Sequence, residues 1–319
     1  MIGGRNEVSN RMIRYVVDNT INHIIYMVYN TLEISLSPHR CVLSTMIKNP
    51  FNDNYHDHFM KIVQISDIHC NIGSDFDKSM FQKGLTLVNK EKDVDFVFIS
   101  GDLTTDGLLK EYEMARDCVD AIEHRCIIVP GNHDERNLGY TLFPEFFGIP
   151  SFTYTMDKIS FVGLASSEPD KNEGHLGRAR HTFIETGVKK GKPLTIVGFH
   201  HHLIPVPNSG RETNIIEDAG ETLDILLTHN VPLVLMGHRH VPYGVRLHET
   251  LLVNAGTFSC TRTRAHFGHT FNIIDIEDTK ISVSVMSIET GKQELMIESD
   301  SASYCYTNKF CMAQKASKL

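Results

Sequence analysis

Five short groups of residues follow one another along this chain: Asp67-x-His69, Gly101-Asp102, Gly131-Asn132-His133-Asp134, His200-His201-His202 and Gly237-His238-Arg239-His240. Carboxylates, a carboxamide and imidazoles are the donors that hold divalent transition cations. A pair of such cations held side by side activates a water molecule. One group alone would say little, because an isolated Asp-x-His or a histidine run is ordinarily surface or a satisfied polar contact. Five in series, most of them just after an apolar, strand-like run, point to one assembled site. Hard oxygens mixed with imidazoles suit manganese, iron or zinc, and do not suit calcium or a thiolate-selected metal. In the last group the i, i+2 spacing on an extended segment sends His238 and His240 the same way, one to each of two ions.

The elements that must position these groups are legible from the apolar pattern. Runs at 61–66, 95–100 and 125–129 are rich in Val, Ile and Phe without polar alternation, as strands buried on both faces are. Helical runs at about 78–91 and 109–122 lie between them. This order predicts parallel βαβ units with each group in the loop beyond a strand's carboxyl end, where open α/β sheets place ligands. Beyond Pro150 the chain turns strand-rich, with strands at Phe152 to Thr155, Ile159 to Leu164, Leu194 to Phe199 and Leu233 to Met236, and helices near 177–188 and 217–228. Short strands at 242–247, 250–254, 270–276 and 280–286 follow with hairpin-like spacing. Helices outside two packed mixed sheets, a four-layer α/β/β/α sandwich, fit this order. The domain is placed at 60–288 and a polar C-terminal tail at 289–319. Residues 1–59 form an N-terminal extension without a motif. Two readings of it stand: either the domain starts at Met60, or Ile13, Val16, Val17, Ile21, Ile24 and Ile25, which recur at helical spacing, mark a helix from Met12 to Tyr29.

Composition bounds the function. With 319 residues and 41% apolar content the chain can bury a large core. Lys and Arg number 31 against 39 Asp and Glu, a net charge of −8, so extended nucleic-acid binding and attraction to anionic lipid are not expected. The first apolar stretch, Ile21 to Val28, is too short and polar to span a bilayer. Seven scattered cysteines without a CxxC pair or a secretory leader read as free thiols in a reducing compartment, so the expected location is cytoplasmic. No P-loop, dinucleotide glycine fingerprint or serine nucleophile elbow is seen.

The sequences SDIH, GDLTTDG, PGNHD and GHRH resemble the calcineurin-like metallophosphoesterase superfamily over roughly residues 60–286, and within it the branch related to bacterial cyclic-nucleotide phosphodiesterases. The resemblance is looser at the third group, where the family has a proline shortly after its ligand and this chain has Leu203. It implies two divalent ions, one on Asp67, His69, Asp102 and His240 and the other on Asp102, Asn132, His201 and His238, with Asp102 bridging. Aligning the end of the 195–199 strand with the family selects His201, with His200 as the alternative. His133, which the family leaves off the metals, is implied as general acid. A phosphate of the substrate would lie against His69, Asp102, Asn132, His133 and His240. The implied reaction is hydrolysis of a small-molecule phosphodiester or phosphomonoester, a cyclic nucleotide among them, by a water activated between the ions.

Two alternatives share the fold. A DNA nuclease would be expected to carry a basic groove, which the acidic balance disfavours. A catalytically inactive scaffold, like the retromer subunit of this fold, would be expected to lose the general-acid histidine or several ligands, and this chain keeps each type. Asp106 lies four residues after Asp102, whereas protein serine/threonine phosphatases place an aspartate three after it and then an arginine, which argues against phosphoprotein substrates. Arg262 and Arg264 could hold a phosphate or sit on an exposed loop. Cys70, beside His69, reads as a buried structural thiol. Oligomeric state is not legible.

Overall fold

The computed structural model describes residues 59–156, 159–190, 194–277 and 280–299. Residues 1–58, with the candidate helix, and residues 300–319 lie outside them. Strands β1 (Phe59–Ile65), β2 (Phe96–Ile99) and β3 (Cys126–Ile128) alternate with helices α1 (Lys78–Lys90), α2 (Leu109–Asp120) and α3 (Gly139–Phe147). Then come β4 (Phe152–Met156), β5 (Ile159–Gly163), α4 (Gly177–Lys190), β6 (Leu194–Gly198), α5 (Ala219–Thr228) and β7 (Leu233–Met236). The described chain closes with β8 (Tyr243–Leu247), β9 (Thr250–Asn254), β10 (Thr270–Glu277), β11 (Lys280–Ser287) and β12 (Gln293–Glu298).

Two six-stranded mixed sheets result, in the orders β12-β11-β10-β1-β2-β3 and β4-β5-β6-β7-β9-β8. In the first, β1 runs parallel to β2 and antiparallel to β10. In the second, β5, β6, β7 and β9 are parallel. The two-residue period of a strand sorts the apolar residues into three cores. Ile62, Phe96, Phe98, Phe161, Ile196, Leu235 and Val253 fill the space between the sheets. Their neighbours Val63, Ile65, Val97 and Ile99 pack outward with residues of α1 and α2, and Val162, Val197, Val234 and Leu252 with residues of α4 and α5. The expected four-layer α/β/β/α sandwich is the observed architecture.

Two elements depart from the sequence reading. α3 forms despite Pro144 inside it, because Phe143 is buried and Leu142, Phe146 and Phe147 pack on the outer core of the first sheet. Residues 293–298, assigned above to the tail, are instead an edge strand. β12 pairs antiparallel with β11, with a register shift between Val283 and Ser284, and buries Met296 and Ile297 in the inter-sheet core.

Candidate metal centre

Loops leaving β1, β2 and β3 of one sheet meet loops leaving β6 and β7 of the other, and backbone hydrogen bonds lace them together. Asp67 N donates to Gly101 O (3.1 Å), His69 N to Asp102 O (2.9 Å) and Gly237 N to His200 O (2.8 Å). The fit is close: a Cβ on Gly101 would collide with the backbone of Gly131, and one on Gly131 with Asp102. Asp67, His69, Asp102, His238 and His240 all adopt left-handed backbone, with φ of 56°, 55°, 55°, 74° and 54°. That conformation costs a residue bearing a Cβ about 1–2 kcal/mol. Its concentration on five candidate donors marks a place where side-chain direction outweighs backbone comfort.

The side chains converge on two adjoining points. His240 Nε2 lies 3.1 Å from Asp67 Oδ1, and His69 Nε2 is 3.8 Å from Asp67 Oδ1 and 3.5 Å from Asp102 Oδ2. On the other side of Asp102, His200 Nε2 is 3.3 Å from the same Oδ2. His238 Nδ1 is 3.2 Å from His200 Nε2 and 3.0 Å from Asn132 Oδ1. Asp102 Oδ2 therefore stands between two donor sets. Asp67 Oδ1 and His69 Nε2 are buried and find no partner of hydrogen-bond geometry, although burying such atoms unsatisfied costs about 1–3 kcal/mol each. A cation at each point would receive these lone pairs, so the residues fit a pair of divalent ions.

Burial opposes charge on every donor, and neighbours decide which groups keep it. Asp102 overcomes burial at His200 and lifts it to about 9, while Asp67 lifts His240 to about 10. Against the same burial, His240 holds Asp67, and His200 holds Asp102, well below the ordinary carboxylate range. His238 is driven well down by burial and by His201 and His200. Burial also lowers His69.

The structure brings together Asp67, His69, Asp102, Asn132, His238 and His240, and sets His133 against them, its ring centroid 4.6 Å from that of His69. It does not bring in His201. That ring's Nδ1 meets Ser166 Oγ at 2.9 Å and its Nε2 meets Asn172 O at 3.1 Å, so both nitrogens hold the loop after β5. His200 takes the expected place: Nδ1 donates to Ser100 O (2.7 Å), which leaves Nε2 facing Asp102. The cause is strand parity. Ile196 faces the inter-sheet core, whereas Val197 and Phe199 face the helices, so 200 follows 196 towards the site and 201 turns away. His202 stacks on His238 with centroids 5.5 Å apart, and its Nε2 meets Glu212 Oε1 at 2.6 Å.

At His133, Nδ1 donates to Thr105 O (2.6 Å) and the backbone N–H to Asp102 Oδ1 (2.9 Å). Because a carbonyl only accepts, Nε2 is the ring nitrogen that exchanges a proton. Burial holds the imidazole down at about 3, with Asp102 pulling the other way. Half-exposed Arg262 reaches to 3.4 Å from His69 Nδ1, while Arg264 donates to Ser209 O. Cys70 is buried with its Sγ 3.7 Å from that of Cys118, which, with burial, raises its pKa well above the usual thiol value.

Several positioning residues were given no role by the sequence reading, Asp134 among them although it lies in the Gly131-Asn132-His133-Asp134 group. Asp134 accepts from Thr104 N (2.8 Å), Thr104 Oγ1 (2.9 Å) and Gly131 N (2.9 Å), fastening the loop after β2 to that after β3. Gln64 donates to Met236 O (2.8 Å) and accepts from Asn272 Nδ2 (2.9 Å), and Asn254 Nδ2 donates to Gly237 O (2.7 Å), a buried polar seam joining the sheets beneath the site. Cys260 is the other omission. Its Sγ and the donor nitrogens of His69 and His240 all lie within 4.8 Å of one another.

Comparison with known proteins bears on family and fold. The family model described as calcineurin-like phosphoesterase matches residues 60–242. A probable cyclic nucleotide phosphodiesterase of Vesicomyosocius okutanii is 24% identical over 191 residues, 56% of this chain and 78% of that protein. A probable glycerophosphodiester phosphodiesterase of Arcobacter nitrofigilis is 26% identical over 155 residues, 45% of this chain and 57% of the other. Among solved structures, a purple acid phosphatase from yellow lupin (Lupinus luteus) seeds shares the fold at TM-score 0.60 and 15% identity, covering 75% of this chain and 53% of its own.

Proposed function

The chain belongs to the calcineurin-like phosphoesterase family, and on that premise we propose that it hydrolyses a small phosphodiester, a cyclic nucleotide or a glycerophosphodiester, at two divalent ions. The observation that carries this is the single carboxylate Asp102, whose Oδ2 lies 3.5 Å from His69 Nε2 and 3.3 Å from His200 Nε2. One ion would rest on Asp67, His69, Asp102 and His240, the other on Asp102, Asn132, His200 and His238. Two such ions supply an activated water and offset charge on the phosphoryl oxygens.

The chain's own residues do the rest. Thr105 O fixes the His133 ring and makes Nε2 its working nitrogen. Burial keeps the free imidazole neutral, and the anionic phosphoryl group of a bound substrate supplies the counter-charge that lets Nε2 carry a proton and donate it to the leaving oxygen. Arg262, half-exposed beside His69, is placed to pair with a phosphoryl or ribose oxygen from the solvent side. The curated relatives' names support a diester. The complete donor set favours an enzyme over a scaffold.

Purified protein loaded with manganese would be assayed against bis- and mono-p-nitrophenyl phosphate, cyclic AMP, glycerophosphodiesters and phosphoserine peptides. Diesters are expected to turn over fastest and the peptides not at all. Protein carrying two ions per chain that cleaves none of the esters would sink the reading.

A further inference from the structure

The loop between β5 and α4 runs beside the second donor set, and His201 fastens it there through Ser166 Oγ and the carbonyl of Asn172. The Asn172 side chain reaches onward. Its Oδ1 accepts from Arg136 Nη2 at 3.0 Å and from Asn132 Nδ2 at 3.4 Å. Arg136 is in turn held by Thr105 O at 3.2 Å and Asp106 at 3.5 Å.

These contacts settle the direction of an amide. A carboxamide has one end that accepts and one that donates, and its neighbours decide which way it points. A guanidinium only donates, so the Asn172 atom facing Arg136 must be oxygen. The Asn132 atom facing that oxygen must then be its NH2, which leaves Asn132 Oδ1 on the opposite side, 3.0 Å from His238 Nδ1. The polarity runs without a break from Arg136 through Asn172 to the ligand end of Asn132. Flipped, Asn132 would present two hydrogens to a cation.

We propose that Asn172, oriented by Arg136, is a positioning residue of the second metal site, fixing the Asn132 amide so that oxygen faces the ion. The inference rests on the two-ion reading above. Asn172 is itself exposed, so its truncation removes the contact without opening a core.

The test is a manganese titration followed by metal analysis and by electron paramagnetic resonance, which separates a coupled ion pair from single ions without reference to turnover. Asn172→Ala is expected to weaken the second ion by about 10–100-fold, the usual cost of losing an outer-shell partner, and to leave the first ion unchanged. Asn172→Asp keeps the acceptor and should restore wild-type uptake. Asn132→Asp offers oxygen at both ends, so in that background Asn172→Ala should cost little. Wild-type affinity for both ions in Asn172→Ala overturns the assignment, as does an undiminished loss in the Asn132→Asp background. A wild-type chain that never takes up a second ion overturns the two-ion reading, and the inference with it.

Discussion

His200 and His240 carry raised pKa values of about 9 and about 10, each because a carboxylate beside it outweighs the penalty of burial. At neutral pH both are imidazolium when only protons compete for the site, and an ion that takes the ring nitrogen must displace that proton. Raising the pH towards 9 removes the competitor, so binding strengthens with pH. With one proton displaced per ion, affinity for each should rise about tenfold per pH unit between pH 6 and 8. Titration calorimetry in buffers of different ionisation enthalpy would count the protons released, and an affinity flat across that range would contradict the ligand assignment. His133 is a separate case: its ring lies near His69 and Asp102, but neither of the two proposed ligand sets includes it. His133→Ala should leave metal content intact and slow hydrolysis by roughly 10²–10⁴-fold. The loss should shrink when the leaving group is p-nitrophenolate, which needs little protonation. An equal loss for good and poor leaving groups would mean that His133 binds phosphate and donates no proton.

Elements deliver these side chains, and most of their positions are visible in the sequence because buried parallel strands are written as unbroken apolar runs. β7 and β9 match the expected segments to the residue. The same property hides strand parity. In Thr195 to Phe199 both faces are buried, so no polar alternation tells whether 200 or 201 faces the site, and the structure turns His200 rather than His201 towards Asp102. Gln64 and Asn272 were invisible for a related reason: their partners lie on other strands, and nothing local in the chain announces a pairing across 208 positions. β12 was missed because the Glu-Leu-Met-Ile run is short and flanked by polar residues, and only its pairing with β11 makes it a strand. It buries Met296 and Ile297 between the sheets. Ending the chain at Ile288 should therefore lower the melting temperature substantially and expose the edge of β11, whereas ending it at Ser299 should change little. Thermal melts of the two truncations compare them directly, and equal stability would return 289–299 to the tail.

At the scale of the whole molecule, the centre is where the two sheets are tied together. Asp67, His69, Asp102 and Asn132 leave strands of one sheet and His200, His238 and His240 leave strands of the other. The inter-sheet core below them is built of apolar side chains, crossed by the Gln64, Asn272 and Asn254 seam. Without ions, the protons on His200 and His240 offset only part of the lone-pair repulsion at the top, and five left-handed residues add strain at the same place. Bound ions should thus stabilise the fold as well as serve the chemistry. An ion present at 100 times its dissociation constant adds about 2.7 kcal/mol. Two of them add roughly 5 kcal/mol, which for a domain of this size corresponds to a melting temperature higher by roughly 10–20 °C. Differential scanning fluorimetry of manganese-loaded protein against protein stripped by a chelator would measure it. Asp102→Asn, which would weaken the ligand proposed to be shared by both ions, should show a much smaller difference between the two conditions. A melting temperature indifferent to the chelator, in protein shown by metal analysis to hold two ions before treatment, would mean that the sheets are fastened without the centre and that its strain is balanced elsewhere.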